Sequence, residues 1–126
     1  MLRILKLNVV LAAFSLLMVG CSPSVCSGTS CACPNGETCA FDTCSANTAG
    51  CNFNCSAGST CTGTCGANCN VACYGTKCTH TVGANANVSC ISGSCDVTCT
   101  GACSATGAGL KLTCKSGNTT AAGCGS

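Results

Sequence analysis

Nineteen cysteines stand in a chain of 126 residues, beside a single histidine, His80. Sulfur in such numbers offers two chemistries. Thiolates hold soft metal ions, and paired thiols oxidise to disulfides. Spacing separates the two. Zinc sites are built from Cys-x2-Cys pairs, and this chain has none; its one Cys-x-Cys is Cys31 and Cys33. A cysteine-rich metal-binding protein is therefore an alternative and not the first reading, and no metal ligand set is assigned. Enzymatic chemistry needs a nucleophile, a base and a group to orient them. His80 has no carboxylate near it in sequence and falls at an inward strand position. The expectation is a core histidine, no catalytic residue and no cofactor. Outside the first twenty residues, Lys77, Lys111 and Lys115 balance Glu37, Asp42 and Asp96. No basic patch exists to hold phosphates, so nucleic acid is not an expected partner.

The elements that carry these cysteines follow from a repeat. Over residues 51–114 a five-residue unit recurs as "CNFNC", "CTGTC", "CNVAC", "CTHTV", "ANVSC", "CDVTC", "CSATG" and "LKLTC". Its first, third and fifth positions are Cys, small or apolar, with His80 the exception; the second and fourth are mostly Thr, Asn, Ser or Asp. Period two is the signature of a strand with one buried face. Gly, Ser, Asn and Thr fill the connections, as turns require. The tripeptide "GAN" occurs at 66–68 and again at 83–85, so the central period is seventeen residues, two strands and two turns. A repeat of every second strand fits a small all-β solenoid whose strands alternate between two facing sheets. The alternative is an antiparallel β-meander, which would repeat every strand and leave its Cys and Val face uncovered.

In the solenoid each turn is flanked by two inward positions. These read Cys55/Cys61, Cys65/Cys69, Cys73/Cys78, Val82/Ala86, Cys90/Cys95, Cys99/Cys103 and Gly107/Leu110. Cysteines are present or absent at a turn as pairs, never singly, which is what bonds across each turn require. Extending the rule outward adds Cys44/Cys51 and Cys114/Cys124. Cys26, Cys31, Cys33 and Cys39 are left in an irregular N-terminal cap, with three pairings open.

The first twenty residues differ from the rest. Arg3 and Lys6 precede an apolar run, Val9 to Val19, which is too short to span a bilayer and fits an export signal. The run ends "LLMVGC". This resembles the lipobox of bacterial lipoproteins, with Met18 in place of the usual Leu. The resemblance implies a diacylglycerol thioether and further acyl chains such as palmitate on Cys21, with cleavage before it. Nineteen less Cys21 leaves eighteen cysteines, enough for nine disulfides in an oxidising compartment. Residues 1–20 are then a signal peptide, 21–50 the lipidated N-terminus and Cys-rich cap, and 51–126 the repeat. With Ser22 after the cysteine, the resemblance implies the outer membrane in a Gram-negative host.

Thr62, Thr64, Thr79 and Thr81 stand as "TGT" and "THT" on strands one period apart. That pattern resembles the Thr-x-Thr ice-binding face of insect hyperactive antifreeze solenoids over two coils, beyond which Asp96 and Lys111 interrupt it. The first expectation for function is a membrane-anchored, disulfide-rich structural or interaction lipoprotein of the cell envelope, held by its lipid and facing a protein or surface partner of unknown identity. Ice binding is the alternative.

Overall fold

Within the strands between Asn52 and Cys114 side chains turn alternately inward and outward, and that alternation builds the molecule. The computed structural model describes residues 25–117, 119–120 and 122–125. The expected signal peptide, residues 1–20, and Cys21 lie outside the described residues. Strands β1 (Cys26–Ser27), β2 (Ser30–Cys33), β4 (Asn52–Cys55), β6 (Asn70–Cys73), β8 (Ala86–Cys90), β10 (Cys103–Gly107), β13 (Gly123–Cys124) and β12 (Thr119–Thr120) lie side by side in that order in one sheet. The second sheet runs β11 (Leu110–Cys114), β9 (Ser94–Cys99), β7 (Lys77–Val82), β5 (Thr60–Thr64) and β3 (Thr38–Phe41). Consecutive strands of the repeat fall in different sheets, and each pairs in parallel with the strand one coil later. The chain is a β-solenoid, and the meander is excluded. Thr60 is in register with Lys77, and Lys77 with Ser94, a step of seventeen residues.

The coil pattern begins earlier than the sequence repeat suggests. Ser30–Cys33 and Thr38–Phe41, expected in an irregular cap, form a regular first coil in register with Asn52–Cys55 and with residues 60–63. The step from Ser30 to Asn52 is twenty-two residues, because the connection from β3 to β4 is longer than the later turns. Ser45 and Thr48 brace it, the Ser45 N–H donating to Thr48 Oγ1 at 3.2 Å. That insertion hides the period from any reading of spacing. Only β1 is a true cap: it folds back antiparallel on β2, as β13 does on β10 at the other end, and both cover an open edge of the first sheet.

Two columns of side chains meet along the axis. Cys31, Phe53, Val71, Val88 and Ala105 come from the first sheet, and Phe41, Gly63, His80, Val97 and Leu112 from the second. The columns are matched in volume. A side-chain carbon on Gly63 would sit 2.9 Å from Phe53 Cε2 and 3.1 Å from Phe41 Cβ, so only glycine fits between the rings.

The turns stack as closely as the strands. The Gly83 N–H donates to the Gly66 carbonyl at 3.0 Å, and a side chain on Gly83 would lie 2.5 Å from the Gly66 carbonyl carbon. Asn68 and Asn85 close the two "GAN" turns at φ 58°, the left-handed conformation that asparagine tolerates better than most residues. At the second of these turns Val82 and Ala86 are buried in the positions that Cys65 and Cys69 hold one coil earlier. Replacing both (Val82→Cys with Ala86→Cys) should add a tenth bridge at this turn. Intact mass after alkylation without reduction should show no label, and the circular dichroism spectrum should be unchanged. A doubly alkylated product would show that the sheets do not converge there.

Candidate functional site

Sulfur lines both edges of the solenoid. One edge stacks the bridges Cys33–Cys39, Cys55–Cys61, Cys73–Cys78 and Cys90–Cys95, each in register with the next on both sheets. The other edge carries Cys44–Cys51, Cys65–Cys69, then the Val82 and Ala86 turn, then Cys99–Cys103 and Cys114–Cys124. Cys26–Cys31 closes the N-terminal hairpin. The four cysteines whose pairing is open from sequence thus join as Cys26–Cys31 and Cys33–Cys39. Six of the other seven bridges each cross a single connection, and Cys114–Cys124 spans the short strand β12. Sulfur atoms of successive bridges approach closely, at Cys55, Cys73 and Cys78 and at Cys99, Cys103 and Cys124, all within 4.8 Å in each group. While the bridges are closed these atoms are not thiolates, and a metal has no charged sulfur to bind.

Outside, the two sheets present different faces. On the second sheet two columns of outward side chains run along the axis. Thr62, Thr79, Asp96 and Lys111 form one, and Thr64, Thr81, Thr98 and Thr113 the other. The structure brings Thr62, Thr64, Thr79 and Thr81 together over a shallow depression of about 510 Å³ that Ala40 and Asp42 border. The second column was legible only in part. Asp96 and Lys111 break the first column, as the sequence suggests, but Thr98 and Thr113 continue the second without interruption. Their signal was the last Thr of "DVT" and "KLT", which the charges at the start of those triplets obscured. Parallel strands set the column spacing at ~4.8 Å.

The opposite face is an amide ladder. Asn52, Asn70 and Asn87 are in register, with Ser30 and Ser104 at its ends. Asn70 Nδ2–H donates to Asn52 Oδ1 at 3.2 Å. Stacked amides of this kind bind one another along the axis and support the sheet.

His80 belongs to neither face. It is 2 % exposed, with ring centroids 5.4 Å from Phe53 and 6.1 Å from Phe41, nearly parallel to the latter. The Gly63 backbone opposes the loss of its proton, but neither ring nitrogen makes a hydrogen bond of acceptable geometry. Burial dominates and lowers its pKa to about 4. The imidazole is a neutral core ring, out of reach of a substrate.

The chain matches no protein-family model, no curated protein and no solved structure.

The histidine fixes a pH dependence. Unfolding exposes it to water, where its pKa returns to about 6.5, so the unfolded chain binds the extra proton between the two values. Its contribution is fully present above pH 6.5 and falls as pH drops towards 4, by about 3 kcal/mol at that pH. Urea unfolding with the bridges intact should show this loss, and His80→Val should remove most of it. An identical pH slope in both proteins would place the histidine in water.

Proposed function

We propose that the chain is a membrane-anchored, disulfide-rich structural or interaction lipoprotein of a bacterial cell envelope, without catalytic activity, which offers the threonine face of its second sheet to a partner. The observation that carries this reading is the combination of a sulfur-stapled scaffold with a regular, largely uncharged outer face. Such an object holds shape outside the cell without a large apolar core, and its outward positions are free to meet a surface. The "LLMVGC" segment supports the anchor. Lipid on Cys21 would stand four residues before Val25, the first described residue, and so tether the N-terminal end of the rod close to the bilayer. Two or more acyl chains give stable attachment where one does not. Ser22 beside the anchor supports the outer membrane in a Gram-negative host.

A second reading, ice binding, is favoured by one specific observation. The Thr64, Thr81, Thr98 and Thr113 column doubles the length of the pattern seen in "TGT" and "THT", and with Thr62 and Thr79 it forms a two-column array of hydroxyls and methyls at fixed spacing.

Two measurements test these readings separately. Cys21→Ala should move the protein from the membrane fraction to the soluble fraction; a variant that still sediments wholly with membranes removes the lipid anchor. Thermal hysteresis of the purified 25–126 segment tests the second reading: a measurable gap that Thr81→Lys abolishes supports ice binding, and no gap at any concentration ends it. Neither outcome depends on the other.

A further inference from the structure

Of the two places where three bridged sulfur atoms lie within 4.8 Å of one another, the group at Cys55, Cys73 and Cys78 is sealed in the core. The group at Cys99, Cys103 and Cys124 is at the C-terminal end, and the partner of Cys124 is Cys114, which is only half-buried. Apart from Cys26, every other described cysteine is buried. Register completes the arrangement. Cys99 and Cys114 are direct partners on neighbouring parallel strands, and Cys103 and Cys124 are direct partners on neighbouring antiparallel strands. The four cysteines therefore mark the corners of a square. Two sides are closed, Cys99–Cys103 and Cys114–Cys124, and both join one sheet to the other. The remaining two sides run along the sheets. Neighbouring strands lie ~4.8 Å apart, within the range of Cα separations of ~4.4–6.8 Å that a disulfide spans. Three of the four sulfurs lie within 4.8 Å of one another, and register sets the fourth, Cys114, opposite Cys99, so a second pairing is open to them.

We propose that this corner is a thiol–disulfide exchange site that takes a small-molecule thiol at Cys114. The incoming thiolate attacks Cys114 Sγ, the accessible sulfur, and forms a mixed disulfide there. The Cys114–Cys124 bond breaks and its electron pair leaves on Cys124 Sγ. Thr119 Oγ1 contacts the attacked sulfur at 3.4 Å and donates a hydrogen bond to it, which draws charge from that atom. Cys124, now a thiolate beside the Cys99–Cys103 bridge, attacks Cys103 Sγ; the Cys103–Cys124 bond forms and Cys99 leaves as a thiolate. Cys99 then attacks Cys114 Sγ in the mixed disulfide, forms Cys99–Cys114 and returns the small thiol. No oxidant or reductant is consumed, and the sulfur, proton and electron counts are unchanged. Exchange follows the general route of thiolate attack through a mixed disulfide. Its result is structural: two staples that tie sheet to sheet become two that run along each sheet, and the turn at residues 100–102 loses its clamp. The cluster is what distinguishes this entry from Cys26, since neither group of close sulfurs includes Cys26 or Cys31.

Disulfide mapping tests the proposal on the folded protein with Cys21 either lipidated or replaced by alanine (Cys21→Ala), so that no odd thiol is present. After brief treatment with reduced glutathione at mildly alkaline pH and an acid quench, unreduced peptides should show a glutathione adduct at Cys114. They should also show Cys103 linked to Cys124 and Cys99 linked to Cys114, while the other seven bridges keep their partners. In the double variant Cys99→Ala, Cys103→Ala the adduct at Cys114 should accumulate several-fold, because nothing resolves it. A first adduct at Cys26, label spread evenly over all bridges, or a Cys114 adduct in the unsubstituted protein with no re-paired link would overturn the proposal. If the double variant does not fold, the map of the unsubstituted protein decides alone.

Discussion

A disulfide across the turn fixes how far apart the two sheets stand, and the rest of the molecule is built to that distance. In the eight bridges other than Cys26–Cys31, Cα atoms are 5.6 to 6.6 Å apart. Sheets packed face to face by larger side chains stand ~10 Å apart. Bridged edges therefore pinch the solenoid into a thin sandwich, and only the middle of each coil has room for a side chain from either sheet. That room is small, which is why the central columns hold Val71, Val88, Val97 and Ala105. Where three rings do enter, at Phe41, Phe53 and His80, the residue among them is Gly63. The histidine is a consequence of the same geometry: it is a flat ring that fills the width left beside a glycine, at the cost of two unpartnered nitrogens.

Each cross-turn bridge closes a short loop, with sequence separations of four to seven along the repeat. A loop of that length restricts the unfolded chain by about 2 kcal/mol in the entropic account. The individual effect is modest, but it is local and repeats at almost every turn, so each coil is held independently of its neighbours and coils add along one dimension. Val82 and Ala86 show how far this independence goes. One unstapled turn is carried between the stapled turns on either side, its backbone hydrogen-bonded to the Gly66 turn before it.

How much of this was legible in the sequence depended on whether the residues repeat. The strands could be read from period two, and the coil from the recurrence of "GAN", because both patterns follow from one geometry applied many times. The candidate pairs at each turn could be read from the joint loss of cysteine at Val82 and Ala86. Where the geometry is not repeated, the signal fails. The first coil was hidden by the long connection from Phe41 to Asn52, and the pairing of Cys26, Cys31, Cys33 and Cys39 with it. Thr98 and Thr113 were passed over for a different reason. A column is a property of register across strands, and the charges of Asp96 and Lys111 dominate any inspection of their own strands taken singly.

The two columns of the second sheet also separate what the fold needs from what it does not. Both stand on the same strands, in the same register, two residues apart. The fold accepts Thr, Thr, Asp and Lys in one of them, so an outward position here is not obliged to be threonine. β-Branched residues favour strands, but by amounts that neighbouring Asp96 and Lys111 show to be dispensable. Stability in this molecule comes chiefly from the inward side, from sulfur and a thin apolar column, with the amide ladder of the first sheet added outside, and the outward positions of the second sheet are left largely unconstrained. Four threonines in succession at Thr64, Thr81, Thr98 and Thr113 are therefore not explained by the demands of the solenoid. Their regularity is the feature that the proposed partner face uses.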